Sequence, residues 1–208
     1  ADIVAHGIWP AGITRMKISP QSLMTLEAYA RVRNEFRTQV MAHKQRRRVS
    51  LGNHVTLLFE DELTIRYQLQ EILRAEKIFE DAGVEDELSA YNPLIPDGSN
   101  WKATMLIEYP DVAERARMLS KLKGIERQTW VCVEGFPKVF AIADEDLERE
   151  NEEKTSAVHF LRFELGAAMC HALRDGKSLE MGVDHPVYTV RSSITADTKA
   201  SLLRDLTE

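Results

Sequence analysis

The strands predicted along this chain follow one another without regularly spaced crossover helices, and this order limits the possible folds more than any other feature. Five segments alternate apolar and polar residues with the two-residue period of a β-strand, and they are centred near Leu57, Met105, Val131, Phe140 and Phe163. A turn at residues 135–137 joins two of them as a hairpin. Because parallel strands need long crossover connections, we predict an α+β fold. It would contain a mostly antiparallel sheet with helices packed on it, in a single domain.

The expected domain begins near Met16. Residues 1–15 show neither helical nor strand periodicity, and Met16 resembles a natural start, so we expect these fifteen residues to be a non-native or disordered extension. Residues 16–208 would form the single α+β domain. Ser19 and Pro20 predict the start of its first helix, with a break near Asn34. Asp61 predicts the N-cap of a second helix, which would extend to about residue 79.

Composition limits the function classes. The net charge is −6, which disfavours a general nucleic-acid or anionic-membrane binder. The one basic run, residues 44–48, is interpreted as a solvated helix end. Cys132 and Cys170 are too few and too far apart for a disulfide scaffold, a zinc knuckle or an iron–sulfur site, and they predict a reducing cytoplasmic location. No apolar run is long enough to predict a transmembrane helix.

A strongly acidic segment, residues 144–153, leads into a strand that carries ionisable residues. His159 alternates with the more apolar residues of this strand, while Arg162 and Glu164 share the other face. Ionisable groups are costly to bury unless they are paired. His159 is therefore either a hydrogen-bonded core histidine or part of a polar site, and Arg162 and Glu164 are either a structural ion pair or part of the same site.

The second predicted helix adds four candidates on one polar face, namely Tyr67, Gln70, Glu71 and Arg74. This face is either solvated or the wall of a pocket. If the helix packs on the sheet, Glu71 could meet His159 and Glu164, and this set would suit a divalent metal. The familiar motifs for nucleotides, zinc proteases and α/β-hydrolases are absent.

Asp184 and His185 form the third candidate, because Asp can orient an imidazole and the following Pro186 fixes a turn. The alternative is a plain turn with a solvated histidine. Any pocket is expected where the strand of residues 159–164 meets the helix of residues 67–74. Its rim would be the loop at residues 92–101 or the turn at Asp184 and His185.

The chain from residue 16 to residue 191 resembles a bacterial family of unknown function. The stretches that carry the resemblance are residues 51–61, 91–101, 143–165 and 182–186. The resemblance implies no catalytic residues. It implies a genomic context, because members are often encoded beside a rubrerythrin-like di-iron protein and an iron–sulfur protein similar to a heterodisulfide-reductase subunit.

Two functional hypotheses follow. The first is an uncharacterised cytosolic accessory or interaction protein of a redox or peroxide-defence system, with the acidic segment as its electrostatic guide. Its partners would be the rubrerythrin-like and iron–sulfur redox proteins, with no nucleic acid and no membrane. The alternative is a metal-dependent enzyme that acts on a small anionic substrate, with Arg162 or Arg74 holding the anion.

Overall fold

The structure is a computed structural model, and it describes residues 17–143 and 154–207. Two predictions lie outside the described residues: the extension at residues 1–15 and the acidic segment at residues 144–153. The described chain divides into two compact units. The first comprises residues 17–43 and 61–95, and the second comprises residues 44–60 and 96–207. The prediction of one domain stays a prediction.

The first unit is helical. After a single 3₁₀ turn at Pro20–Ser22, its elements are most of α1 (Leu26–Gln45), then α2 (Glu62–Glu76), α3 (Asp81–Tyr91) and a 3₁₀ turn at Asn92–Leu94. On α1, the fully buried Tyr29 and Phe36 meet edge to face with their ring centroids 6.1 Å apart. The predicted start of the first helix, at Ser19 and Pro20, is too early. These residues begin only the 3₁₀ turn, the backbone is extended at Leu23, and α1 begins at Leu26. The predicted break near Asn34 is also wrong, because α1 continues through it.

The predicted cap of α2 is confirmed. Asp61 Oδ1 accepts a hydrogen bond from the backbone N–H of Thr64 at 3.0 Å, which satisfies a donor that the first helical turn leaves open. The helix ends earlier than the apolar stripe predicts, at Glu76. Lys77 adopts a left-handed conformation with φ of 56°, and its N–H bonds to the carbonyl of Leu73.

The second unit contains two antiparallel sheets, each of four strands among the described residues. The strands are β1 (Arg48–Leu51), β2 (Val55–Glu60), β3 (Asn100–Ile107), β4 (Thr129–Val133), β5 (Val139–Phe140), β6 (Val158–Glu164), β7 (Leu179–His185) and β8 (Tyr188–Ser193). The helices are α4 (Val112–Lys121), α5 (Ala167–Arg174) and α6 (Ala196–Leu203). The strand orders are β1-β2-β3-β6 and β5-β4-β7-β8. The predicted α+β class with antiparallel pairing is confirmed.

The five predicted strands lie in two sheets rather than one, so that part of the prediction is wrong. Among the described residues, a single bridge between Ile142 and Arg162 joins β6 to the segment that follows β5. Strand β4 pairs instead with β7, where Trp130 lies opposite Gly182. A Cβ atom at Gly182 would lie 2.4 Å from the Trp130 ring, so the ring fills the space that a side chain at this position would need.

The apolar core of the second unit receives side chains from both sheets and from α4, α5 and α6. Trp101 of β3 is fully buried, and its Nε1 donates a 2.9 Å hydrogen bond to the carbonyl of Leu202 on α6. None of the helices in the described part of the chain has the length and apolar character that a membrane crossing requires.

The interpretation of the basic run as a solvated helix end is wrong for Arg47, which is only 1% exposed. Its guanidinium pairs with Asp205 and donates to the carbonyls of Phe59 at 3.0 Å and Glu60 at 3.1 Å. It also donates to the carbonyl of Ser201 at 3.2 Å. The helix ends at Gln45, before Arg47, and β1 begins at Arg48, which is exposed; the run therefore does not form one helix end.

Candidate functional site

His159 is a buried, hydrogen-bonded histidine of β6. It is 1% exposed, and its Nε2 lies 3.0 Å from the carbonyl oxygen of Ser156 and 2.9 Å from Thr155 Oγ1. A carbonyl oxygen can only accept, so Nε2 carries the hydrogen. This geometry matches the first interpretation, that of a core histidine.

Arg162 and Glu164 pair with each other on the opposite face of the same strand. Glu164 Oε1 also accepts a hydrogen bond from Asn100 Nδ2 at 3.2 Å, across the pairing of β3 with β6. The side chains are 26% and 40% exposed. The structure therefore places them as an ion pair that links neighbouring strands, as the structural interpretation expects.

Glu71 lies in a network on the α1–α2 face. It accepts a 2.6 Å hydrogen bond from the Tyr29 hydroxyl and two bonds of 2.7 Å from the guanidinium of Arg33. Hydrogen bonding to Arg33 lowers the pKa of Glu71 to about 2. Burial, with the bond to Glu71, raises the pKa of the Tyr29 phenol. The carboxylate thus stays ionised at any physiological pH and acts as a link between two helices.

The other three candidates of α2 divide between core and solvent. Gln70 is fully buried, and its amide exchanges hydrogen bonds with the backbone of Met24, at 2.8 Å for the bond from the Met24 N–H. Tyr67 is half-buried against Phe36, and Arg74 is exposed. The interpretation of this face as solvated is therefore wrong for Gln70. Its amide satisfies the backbone N–H and carbonyl of Met24, which belongs to neither a helix nor a strand.

Asp184 and His185 close the β7–β8 hairpin, and both have partners. His185 is buried; its Nε2 donates to the carbonyl of Lys123 at 3.1 Å, and its Nδ1 accepts from the Val187 N–H at 3.2 Å. Asp184 accepts from Trp130 Nε1 at 2.9 Å and from a lysine ammonium. The alternative of a solvated histidine is wrong, because the buried imidazole satisfies one backbone group of the turn and one backbone group of residue 123.

The proposed metal ligands do not form a group among the described residues. No set of three or more His, Cys, Asp or Glu side chains in that part of the chain is arranged to hold a metal ion. His159 and Glu164 lie on opposite faces of β6, five residues apart, and Glu71 belongs to the other compact unit. The divalent metal, and the pocket between these segments, stay predictions.

The described residues contain a different candidate, a cavity of about 820 Å³ in the second unit. It lies where β2 begins and β3 ends, two points that meet at one edge of the sheet because the strands are antiparallel. Its polar lining residues include Arg48, Thr56, His54, Glu108 and Arg115. The volume falls within the range of small-molecule sites.

His54 has a fixed position in this cavity. Its Nδ1 lies 2.9 Å from the carbonyl oxygen of Glu108, and its ring stacks on Tyr109 with centroids 4.0 Å apart and planes 11° from parallel. Its backbone N–H donates to the Tyr188 hydroxyl at 3.1 Å, and that hydroxyl donates to the carbonyl of Leu51 at 2.6 Å. Burial raises the pKa of Tyr109, so its phenol stays protonated. Both the ring and the turn that carries it are therefore held in place.

Cations outnumber anions among the lining residues. Arg48 projects from β1, and Arg115 projects from the first half of α4, where its Nη1 lies 3.4 Å from the carbonyl of Tyr109. Among the described lining residues Glu108 is the one carboxylate; it lies 3.9 Å from Arg48 and accepts a 2.8 Å hydrogen bond from the Thr56 hydroxyl. Two guanidinium groups against one carboxylate give this described lining an excess of positive charge.

Sequence reasoning missed this cavity because its residues come from four separate segments. No motif in the sequence includes His54, and Arg48 belongs to the basic run at residues 44–48, whose pattern does not distinguish its members. A signal did exist: the turn at residues 52–53 and His54 directly precede the strand near Leu57, and Tyr109 lies at the end of the strand near Met105. Pairing the two strands antiparallel would have brought His54 and Tyr109 together.

Comparison with known proteins identifies relatives but no function. Residues 17–206 match the family described as protein of unknown function (DUF3501). A crystal structure at 1.90 Å of a novel protein of unknown function from Burkholderia pseudomallei is similar, with 54% sequence identity and a TM-score of 0.88. The match covers 92% of this chain and 100% of that one. No curated protein matches. The chain therefore belongs to the family of proteins of unknown function DUF3501.

Proposed function

We propose that this protein binds a small oxyanion in the cavity between Arg48 and Arg115. The observation that carries the proposal is the lining: in the part of the chain that the structure describes, two guanidinium groups, a fixed imidazole, a hydroxyl and one carboxylate border a space of about 820 Å³. Guanidinium groups remain charged at all physiological pH values and match the geometry of carboxylate and phosphate oxygens. The chain as a whole has a net charge of −6, so this local positive charge favours binding of a small anion in the cavity rather than general binding of polyanions to the protein surface.

Isothermal titration calorimetry with inorganic phosphate at low ionic strength tests the proposal. Arg115→Gln and Arg48→Gln should each weaken binding by about tenfold or more, because each removes a charge-assisted hydrogen bond. Arg117→Gln is the matched control: Arg117 is on the same helix, is largely exposed and does not line the cavity. If all three variants bind as the unmodified protein does, or if no oxyanion binds, the proposal fails.

A second proposal is the accessory role in a redox or peroxide-defence system. What supports it is the genomic context that the family resemblance implies, together with the state of the thiols. Cys132 and Cys170 are both free, and Cys170 is buried with its pKa raised by that burial. Such thiols suit the reducing cytosol and favour action by protein contact over dithiol exchange. The oxyanion would then be a ligand that regulates the contact.

Pull-down with the rubrerythrin-like and iron–sulfur neighbours tests this role. Recovery of either protein, weakened when the acidic residues of the segment at 144–153 are replaced by amides, would support it. Absence of both would contradict it. The metal-dependent alternative has its own test, which is elemental analysis of protein purified without chelator. A stoichiometric metal that is lost on His159→Ala would support that alternative, and its absence would contradict it.

A further inference from the structure

The orientation of His54 determines what its imidazole can offer a ligand. A carbonyl oxygen only accepts hydrogen bonds, so Nδ1 must carry the hydrogen that bonds to the Glu108 carbonyl at 2.9 Å. Stacking on Tyr109 fixes the ring plane. The ring edge that remains for a ligand carries Nε2, which has no hydrogen-bond partner among the described residues. In the neutral ring, Nε2 is an acceptor.

A second acceptor lies on the same wall. The Glu108 carboxylate takes one hydrogen bond, from Thr56 to Oε2, and lies beside Arg48. An ionised carboxylate has two oxygens and can only accept. The cavity thus combines donors that attract an anion, Arg48 and Arg115, with acceptors that repel any oxygen lacking a hydrogen.

We propose that the cavity selects an oxyanion that carries a proton, and that this ligand is the hydrogenphosphate ion. The inference rests on the proposed oxyanion-binding function. Sulfate has the same shape and charge but no proton to donate at neutral pH. A phosphate monoester loses its last proton near pH 6, whereas inorganic phosphate retains one to far higher pH. The unprotonated oxygens face the guanidinium groups, and the P–OH group donates to His54 Nε2 or to Glu108.

The test compares the binding of inorganic phosphate, sulfate and methyl phosphate by calorimetry at about pH 8.5, above the range in which histidines generally titrate. Phosphate should bind about tenfold more tightly than either of the other two, because only phosphate avoids facing an acceptor with a bare oxygen. His54→Asn is the informative variant: the asparagine amide can retain the donor to the Glu108 carbonyl, but it has no counterpart of Nε2. The ratio of phosphate affinity to sulfate affinity should fall, because one of the two acceptors for the P–OH group is lost.

Glu108→Gln gives an independent variant if His54→Asn does not fold, as judged by circular dichroism. It should also reduce the preference for phosphate, because an amide can donate to a bare oxygen. Equal binding of the three anions by the unmodified protein would overturn this inference and leave the proposed function intact. Selectivity that persists in both variants would overturn it as well. Absence of any anion binding would instead overturn the proposed function, and the inference with it.

Discussion

Replacing Arg47 should destabilise the second unit far more than replacing its neighbour Arg48. Arg47 directly precedes β1 and Arg48 is its first residue, but Arg47 is 1% exposed and the Arg48 side chain is 47% exposed. The Arg47 guanidinium binds three parts of the chain. It pairs with Asp205, and it donates hydrogen bonds to the carbonyls of residues 59 and 60 on β2 and of Ser201 on α6. Arg47→Met preserves chain length and much of the packing while it removes every one of these bonds.

The expected cost is about 3–5 kcal/mol, because the substitution leaves the Asp205 carboxylate, which is 8% exposed, without its cation. That is a large part of the ~5–15 kcal/mol by which proteins are stable, and it should lower the melting temperature by about 10 °C. Arg48→Met should cost about 0–1 kcal/mol, because its partner Glu108 is 51% exposed and both groups remain hydrated.

Urea denaturation monitored by tryptophan fluorescence measures both variants, and Trp101 reports on α6 through its hydrogen bond to Leu202. The double variant Arg47→Met with Asp205→Asn should recover part of the loss, since it removes the charge that Arg47→Met alone leaves buried. If Arg47→Met costs less than about 1 kcal/mol, or no more than Arg48→Met, the buried pair does not hold α6 in place and the reasoning is refuted.

Three further predictions concern other parts of the chain. Gly52→Ala should cost about 1–3 kcal/mol more in thermal melts than Gly124→Ala; both residues have positive φ, but a Cβ at Gly52 would lie 2.6 Å from a tyrosine hydroxyl while one at Gly124 meets nothing within 4 Å. Equal costs would contradict the clash. The pKa of Glu71 in the folded protein, about 2, is below its unfolded value of about 4.3, so its contribution to stability is present above pH 4.3 and is lost as the pH falls towards 2. In Glu71→Gln the urea midpoint should depend less on pH over that interval than it does in the unmodified protein. An unchanged pH dependence would show that the carboxylate is not linked to folding. Cys132 should react with a thiol reagent before Cys170, which is 4% exposed, and the reverse order would contradict their burial.

Local patterns in the sequence predict those elements whose side chains alternate cleanly. Strands β3 and β6 lie where the patterns near Met105 and Phe163 predict them, and the burial of their side chains alternates along the strand. The Asp61 cap and the β4–β5 hairpin are also confirmed, because each depends on residues that are close together in the sequence. The assignment of β4 to its sheet could not be predicted, since it depends on Trp130 packing against Gly182, which is 52 residues away.

The candidate site illustrates the same limit. Burial of Arg47 beside an exposed Arg48 depends on α6, which comes about 150 residues later, so a local charge pattern cannot distinguish the two. His54 and Tyr109 come together only when β2 and β3 pair, and Arg115 joins them only through the position of α4. Local reasoning goes further for His159: its apolar neighbours in β6 limit it to a core histidine or part of a polar site, and its burial matches the first of these interpretations.

A crystal structure of the protein in complex with phosphate tests the central claim most directly. We expect one phosphate in the cavity, within hydrogen-bond distance of the Arg48 and Arg115 guanidinium groups, with an oxygen beside His54 Nε2 or the Glu108 carboxylate. Phosphate bound only elsewhere on the chain, with this cavity empty at a concentration that saturates binding in solution, would contradict the account.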